Sequence, residues 1–249
     1  MLRIIRCELL KLRRSKMLPF SIAGVLSTPA MLFIEALQTH LRHPETYFTL
    51  SDIFDHGLLY MMLLTNLTIY VSLTAHLFSH EYTDNTLKTL LPVPVPRVRF
   101  LMGKFCLLFM WTFLLSVVTW TGVFALTGLY HAWIGMHGFS LGIALVWLRK
   151  FSAASVLMFL TLTPFAYIAE KTKGVIAPVI ASAVVVMGSA ALCNQDMGAL
   201  YPWTASFFII KGSLTDTGYP LTLSVGILIL VSGASLLLTL RHFASADFD

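Results

Sequence analysis

The stretch His80-Glu81-Tyr82-Thr83-Asp84 begins like H-E-x-x-H, the helical signature in which two histidines one turn apart hold zinc and the glutamate acts as base. Its fifth position is Asp84, so the second ligand is absent. His76 and His80 are also four apart, but two imidazoles do not complete a site, and the sequence assigns no metal. A G-x-x-x-x-G-K-[ST] phosphate loop occurs nowhere; Gly103-Lys104 lacks the upstream glycine and runs into Phe105. Any nucleotide-driven activity therefore needs a separate ATPase. No G-x-S-x-G elbow and no base-oriented serine or cysteine offers a nucleophile, so no catalytic residue is assigned.

Ionisable groups inside apolar runs are the next candidates, because charge in hydrocarbon is costly. Glu35 lies about one turn from the end of such a run and is a candidate for lining a substrate path. Asn66, deep in the next run, is the second path candidate and needs an interior hydrogen-bond partner. Glu170, followed by Lys171 and Lys173, reads as reaching the interface. His40, His43, His56, His131 and His137 fall in segments read below as external, with Glu45, Asp52 and Asp55. They suit pH sensing, metal binding or plain solvation, and no ligand spacing selects among these.

The elements that must position these residues are membrane helices. The chain has 249 residues, 57% hydrophobic and 12% charged, half the charge of an average soluble domain. Six runs approach the roughly 20 apolar residues that cross a bilayer: Leu18–Leu37, Gly57–Phe78, Phe105–Leu129, Phe151–Ala169, Gly174–Cys193 and Tyr219–Leu240. They alternate too little for a transmembrane barrel. The expected fold is all-α: an amphipathic interfacial helix over residues 1–17, then a six-helix membrane domain over 18–249. Leu2, Ile5, Leu9 and Leu12 recur at helical spacing among basic residues, as befits a helix in the headgroup plane. The N terminus is expected to be retained, since no small-residue cleavage site precedes Pro19. Three scattered cysteines suggest no disulfide framework.

With the N terminus inside, the inner segments hold 13 of the 17 lysines and arginines, leaving only Arg42, Arg149, Lys150 and Lys211 outside. Both termini are therefore expected in the cytoplasm. The net charge of +5 reads as topology and contact with anionic lipid, not as nucleic-acid binding. Leu141–Leu148 and the stretch Trp203–Ile210 are too short to span and read as interfacial or re-entrant. Arg149 and Lys150 either end the fourth span or sit inside a longer helix. Small residues line one face of the second run (Thr65, Thr68, Ser72) and of the fifth (Ala181, Gly188). Such faces allow close packing, within one subunit or across a dimer seam.

Between the second and third runs, residues 80–104 combine Glu81 and Asp84, then Lys88, with Leu87, Leu90 and Leu91 as an apolar face. Early acids and a later lysine agree with a helix dipole, and Pro92, Pro94 and Pro96 stop the helix. The sequence Glu-Tyr-Thr-Asp-Asn-Thr-Leu-Lys, with the proline turn, Arg97 and Lys104, resembles the element after the second span of ABC-2-type transporter permeases. The start Cys-Glu-Leu-Leu-Lys-Leu-Arg-Arg, through Glu8, Lys11 and Arg14, is similar to that family's N-terminal helix. Many members carry glycine where this chain has Asn85, and the form here looks closest to permeases of bacitracin-resistance and lantibiotic-immunity exporters.

The resemblance implies a permease without its own nucleotide site, whose cytosolic coupling helix contacts an ATPase through Glu81, Tyr82, Lys88, Leu91 and Arg97. It implies two ATPases, which bind ATP and Mg2+, and two permeases, identical or paralogous. The cargo would be an amphipathic peptide antibiotic or its lipid target. Two other classes stay open at this point: a non-transporting protein that sequesters or senses the antibiotic, and a membrane enzyme acting on lipid.

Overall fold

The computed structural model describes residues 2–42, 49–83, 97–136 and 138–245, and all regular structure among them is helical. Five helical stretches are long and apolar enough to cross a membrane. A short helix α1 (Leu2–Arg14) precedes α2 (Met17–Val25) and α3 (Ser27–Arg42). The last two form one crossing, Met17–Arg42, with a break at Leu26. Pro29 explains the weakness there: it has no amide to offer the carbonyl one turn back.

Helix α4 (Leu50–Leu59) passes through a wider π turn (Tyr60–Leu64) into α5 (Thr65–Thr83). Its start is set by a capping box. The Thr49 hydroxyl accepts from the Asp52 amide at 3.3 Å, and the Asp52 carboxylate accepts from the Thr49 amide at 3.1 Å. Helix therefore occupies both ends of the expected external loop 38–56, which α3 enters from one side and α4 from the other.

Helices α6 (Arg97–Ile134, 38 residues) and α7 (Leu141–Thr172, 32 residues) exceed what a bilayer needs. At 1.5 Å per residue α7 is about 48 Å long against a hydrocarbon core of about 30 Å. The expectation of a separate interfacial or re-entrant piece at Leu141–Leu148 is corrected here. Ser140 caps α7, accepting from the Gly142 amide, and the run continues unbroken past Arg149 and Lys150. Helical hydrogen bonding is indifferent to where hydrocarbon ends, so two charges mark a depth and not a terminus. The Lys150 ammonium lies 4.2 Å from the Trp147 ring centre, a cation–π contact that lets it stay beside an aromatic at that boundary.

The fifth expected span forms α8 (Ile176–Leu192), only 17 residues long. A tight turn (Asp196–Leu200), α9 (Pro202–Lys211), another tight turn (Leu214–Thr217) and α10 (Leu221–Ser245) complete the chain. Pro202 opens α9 at the position where a missing amide costs nothing, and Gly212 ends it at φ 87°.

The centre of the bundle is α5, where Leu67, Tyr70, Val71 and Phe78 are buried. It packs on α7, whose Phe151, Met158, Leu162 and Phe165 are buried as well. Ile176, Ile180, Val184 and Met187 form an exposed apolar row on α8, and Ile229, Leu230, Leu237 and Leu238 do so on α10. Such outward rows suit lipid. Gly198 is required by packing. A Cβ there would sit 2.4 Å from the Leu192 carbonyl oxygen and 2.9 Å from the Phe208 ring. Gly198→Ala must displace backbone, and is expected to destabilise the chain by about 1–3 kcal/mol, read as a lowered unfolding midpoint in detergent.

Candidate functional site

At the end of the bundle where α1 begins and α10 ends, α1 lies against the end of α5 and the start of α6. Glu8 is 3% exposed and forms an ion pair with Lys11 at 2.8 Å. Both line a small recess with Leu12, His76, Leu77 and His80. Lys104, in the second turn of α6, is 2% exposed, and its ammonium donates to the Leu77 carbonyl of α5 at 2.8 Å. Two aromatic faces flank that ammonium, Phe100 at 5.2 Å and Phe78 at 5.7 Å. Phe78 packs on Phe105 at 4.8 Å, and Phe100 stacks on Phe243 of α10 at 6.2 Å.

The two helices that bracket residues 84–96 are thus tied to each other through Lys104 and to α1 through Glu8 and its neighbours. A displacement applied between them reaches both helices together. Glu81 and Tyr82 belong to the last turn of α5, and Arg97 is the first residue of α6. Lys88 and Leu91 lie outside the described residues, as does the interhelical segment itself. The sequence pointed to Lys104 as a basic residue near the membrane surface and as part of the motif that carries the resemblance. Its burial was not legible, although a lysine followed by Phe105 and flanked by Phe100 offered the aromatic signal.

Halfway along the second crossing, Asn66 is fully buried and joins three crossings. Thr65 lies against Thr28 of α3; the Thr28 hydroxyl donates to the Asn66 side-chain oxygen at 2.9 Å. The Asn66 amide donates to the Thr119 hydroxyl of α6 at 2.8 Å, and Thr119 donates to the Leu115 carbonyl at 3.0 Å. The Asn66 side chain thus accepts from one neighbouring crossing through its oxygen and donates to another through its nitrogen. One turn further on, the Tyr70 hydroxyl donates to Ser116 at 3.1 Å. This relay sits beside the π turn and near the break at Leu26, so the irregular backbone of two crossings is pinned to a third at one depth. Asn66→Leu is expected to cost about 1–2 kcal/mol. A double-mutant cycle of Asn66→Leu with Thr119→Val in detergent unfolding should show the two losses to be non-additive.

At the opposite end, Glu35 accepts from the Tyr60 hydroxyl at 3.0 Å and meets His56 at 3.2 Å. Asp55 pairs with Lys211 of α9 at 2.8 Å. Glu35 thus ties the first crossing to the start of the second, and the chain beyond it is fastened by Asp55. Among the other histidines expected to be external, His40 meets Tyr130 edge-on and His131 accepts from the Met136 amide; His43 and His137 lie outside the described residues. His76 and His80 stack at 4.8 Å. Among the described residues, no three His, Cys, Asp or Glu side chains converge as a metal site would require.

The small residues expected to pack helices are half-buried inside this chain. Thr65 meets Thr28, Ser72 donates to the Thr68 carbonyl at 2.9 Å, and Ala181 packs against the core. A Cβ on Gly188 would come within 3.2 Å of the Tyr201 hydroxyl, so that glycine admits a neighbour from the same chain.

Comparison with known proteins adds two findings. Residues 4–189 match a family described as ABC-2 family transporter protein. The chain is also similar to a bacitracin transport permease protein of Bacillus licheniformis, at 27% identity over 174 residues, which cover 69% of this chain and 81% of that one. The family match runs from α1 into α8 and includes every residue of the clamp around Lys104 except Phe243.

Proposed function

This chain belongs to the ABC-2 family of transporter proteins, and from that premise we propose that it is the membrane subunit through which a separate cytosolic ATPase expels an amphipathic peptide antibiotic of the bacitracin type. In this reading two ATPases carry the ATP and Mg2+, two permeases form the pathway, and the result is resistance or self-immunity. Helix α8, fifth in chain order, brings the crossings of a bacterial plasma membrane to six, both termini are cytoplasmic, α1 lies in the inner interface, and α9 is re-entrant on the outer side. The likeness to a bacitracin transport permease supports the choice of cargo class.

The observation that carries the coupling is the clamp at the end holding the termini. Segment 84–96 is bracketed by helices that a buried lysine and an N-terminal helix hold together. A partner seated on that segment would move the second and third crossings as one lever. The pinned relay at Asn66 would pass that movement to the first crossing, and Glu35 would feel it at the far end.

Expression in a bacitracin-sensitive bacterium tests the reading. Resistance should rise only when a functional ATPase is co-expressed, and fall to the sensitive level when that ATPase is hydrolysis-deficient. Protection by this chain alone would replace export with sequestration.

A further inference from the structure

We propose that a cavity at the end of the bundle opposite the termini binds a cationic group carried on an apolar stem, such as a lysine or arginine side chain of an amphipathic peptide. The cavity has a volume of about 240 Å³ and lies between the end of α4, the turn after α8, the last turns of α9 and the tight turn that follows. That volume falls below the roughly 300–1,000 Å³ of sites for whole drug-sized ligands, so it suits one side chain or head group.

Its chemistry selects the ligand. Leu59, Phe207 and Phe208 supply an apolar wall, and the two phenylalanines are themselves buried. Asp196 and Asp216 bring two carboxylates to the same cavity. The one basic residue lining it, Lys211, is held by Asp55 at 2.8 Å. Among the described residues, neither Asp196 nor Asp216 has an ion-pair partner. The cavity therefore keeps uncompensated negative charge beside aromatic surface, the combination that favours an ammonium or guanidinium with hydrocarbon attached. A further lining residue, Ser213, has its hydroxyl oxygen buried without a hydrogen-bond partner among the described residues.

Nearly the whole lining, Leu59 apart, comes from residues 193–217, beyond the stretch matched to the family. The cavity is thus placed to distinguish this chain's ligand from those of its relatives. Identifying the bound group with the exported cargo rests on the export reading; the binding itself does not.

The test uses the full chain in lipid nanodiscs, with empty nanodiscs as the blank and no ATPase. Phenethylammonium is titrated against its neutral counterpart 2-phenylethanol, with ligand-detected NMR as the readout. The cation should bind about tenfold more tightly, and the preference should shrink as salt is raised. Asp196→Asn with Asp216→Asn should abolish it. Both side chains are exposed, so the variants should fold; if the pair does not elute as a monodisperse species, Asp216→Asn alone must cut the preference at least threefold. Equal binding of the two probes, binding of neither, or an undiminished preference in the variants would overturn the proposal. Cation binding without ATP-driven export would leave the cavity standing and remove the export reading; export without cation binding would do the reverse.

Discussion

Lys104→Glu is expected to prevent accumulation of folded protein, whereas Lys104→Met is expected to fold. The native ammonium is enclosed by a carbonyl oxygen and two aromatic faces, all of which attract positive charge. A carboxylate in the same place would face the Leu77 carbonyl and the negative faces of Phe78 and Phe100. A buried charge without compensation costs about 3–5 kcal/mol, a large share of the stability of an ordinary domain. Methionine fills similar volume without charge, and replacing a buried charge by an apolar side chain is often neutral. Detergent-solubilised yield and unfolding midpoint separate the cases. If the glutamate variant unfolds within a few degrees of the parent, the ammonium is not enclosed as described.

Reversing Glu81→Arg together with Lys88→Glu should remove coupling while leaving the fold intact. The double change keeps the net charge of the segment and alters only which sign sits where. Residue 81 ends the clamped helix, and residue 88 belongs to the segment that would meet the ATPase. Mismatched charges at such a contact cost about 2 kcal/mol or more, so association with the ATPase should weaken at least roughly thirtyfold. Co-purification of the ATPase and bacitracin resistance should fall together, with the unfolding midpoint unchanged. Undiminished ATP-dependent transport in this variant would take the coupling role away from the segment. Restoration by complementary reversals on the ATPase would identify the facing residues.

Five of the six expected runs were legible because a bilayer demands about 20 apolar residues, and they fall in helical stretches long and apolar enough to cross it; the fifth run, Gly174–Cys193, contains a helix of 17 residues. Their ends were harder to read. Arg149 and Lys150 read equally as a boundary or as the interior of a longer helix, and α7 runs through them, since charged side chains can reach the interface while backbone hydrogen bonds continue. The capping pair Thr49 and Asp52 was present in the sequence as a helix start, and it was overshadowed by the acidic, loop-like composition around it.

Partnerships across the bundle were not legible at all. Asn66 plainly needed an interior partner, but a single sequence gives helix faces without saying which faces meet. Thr28 and Thr119 were two of several hydroxyl residues in their apolar runs, and nothing in the sequence singled them out. Glu35 was recognisable as costly in lipid, whereas its partner Tyr60, 25 residues further on at the start of the π turn, was not. The cavity beside Asp196 and Asp216 arises from two tight turns 20 residues apart, a juxtaposition that no local pattern announces.

Under the export reading this chain moves a peptide antibiotic only when an ATPase works on it. Proteoliposomes holding the permease and its ATPase, with ATP supplied on the ATPase side and fluorescent bacitracin in the bilayer, measure that directly. ATP-dependent removal of the peptide is expected, and it should stop with a hydrolysis-deficient ATPase and with the Glu81→Arg, Lys88→Glu permease. Equal loss of peptide from the bilayer with and without ATP would contradict it.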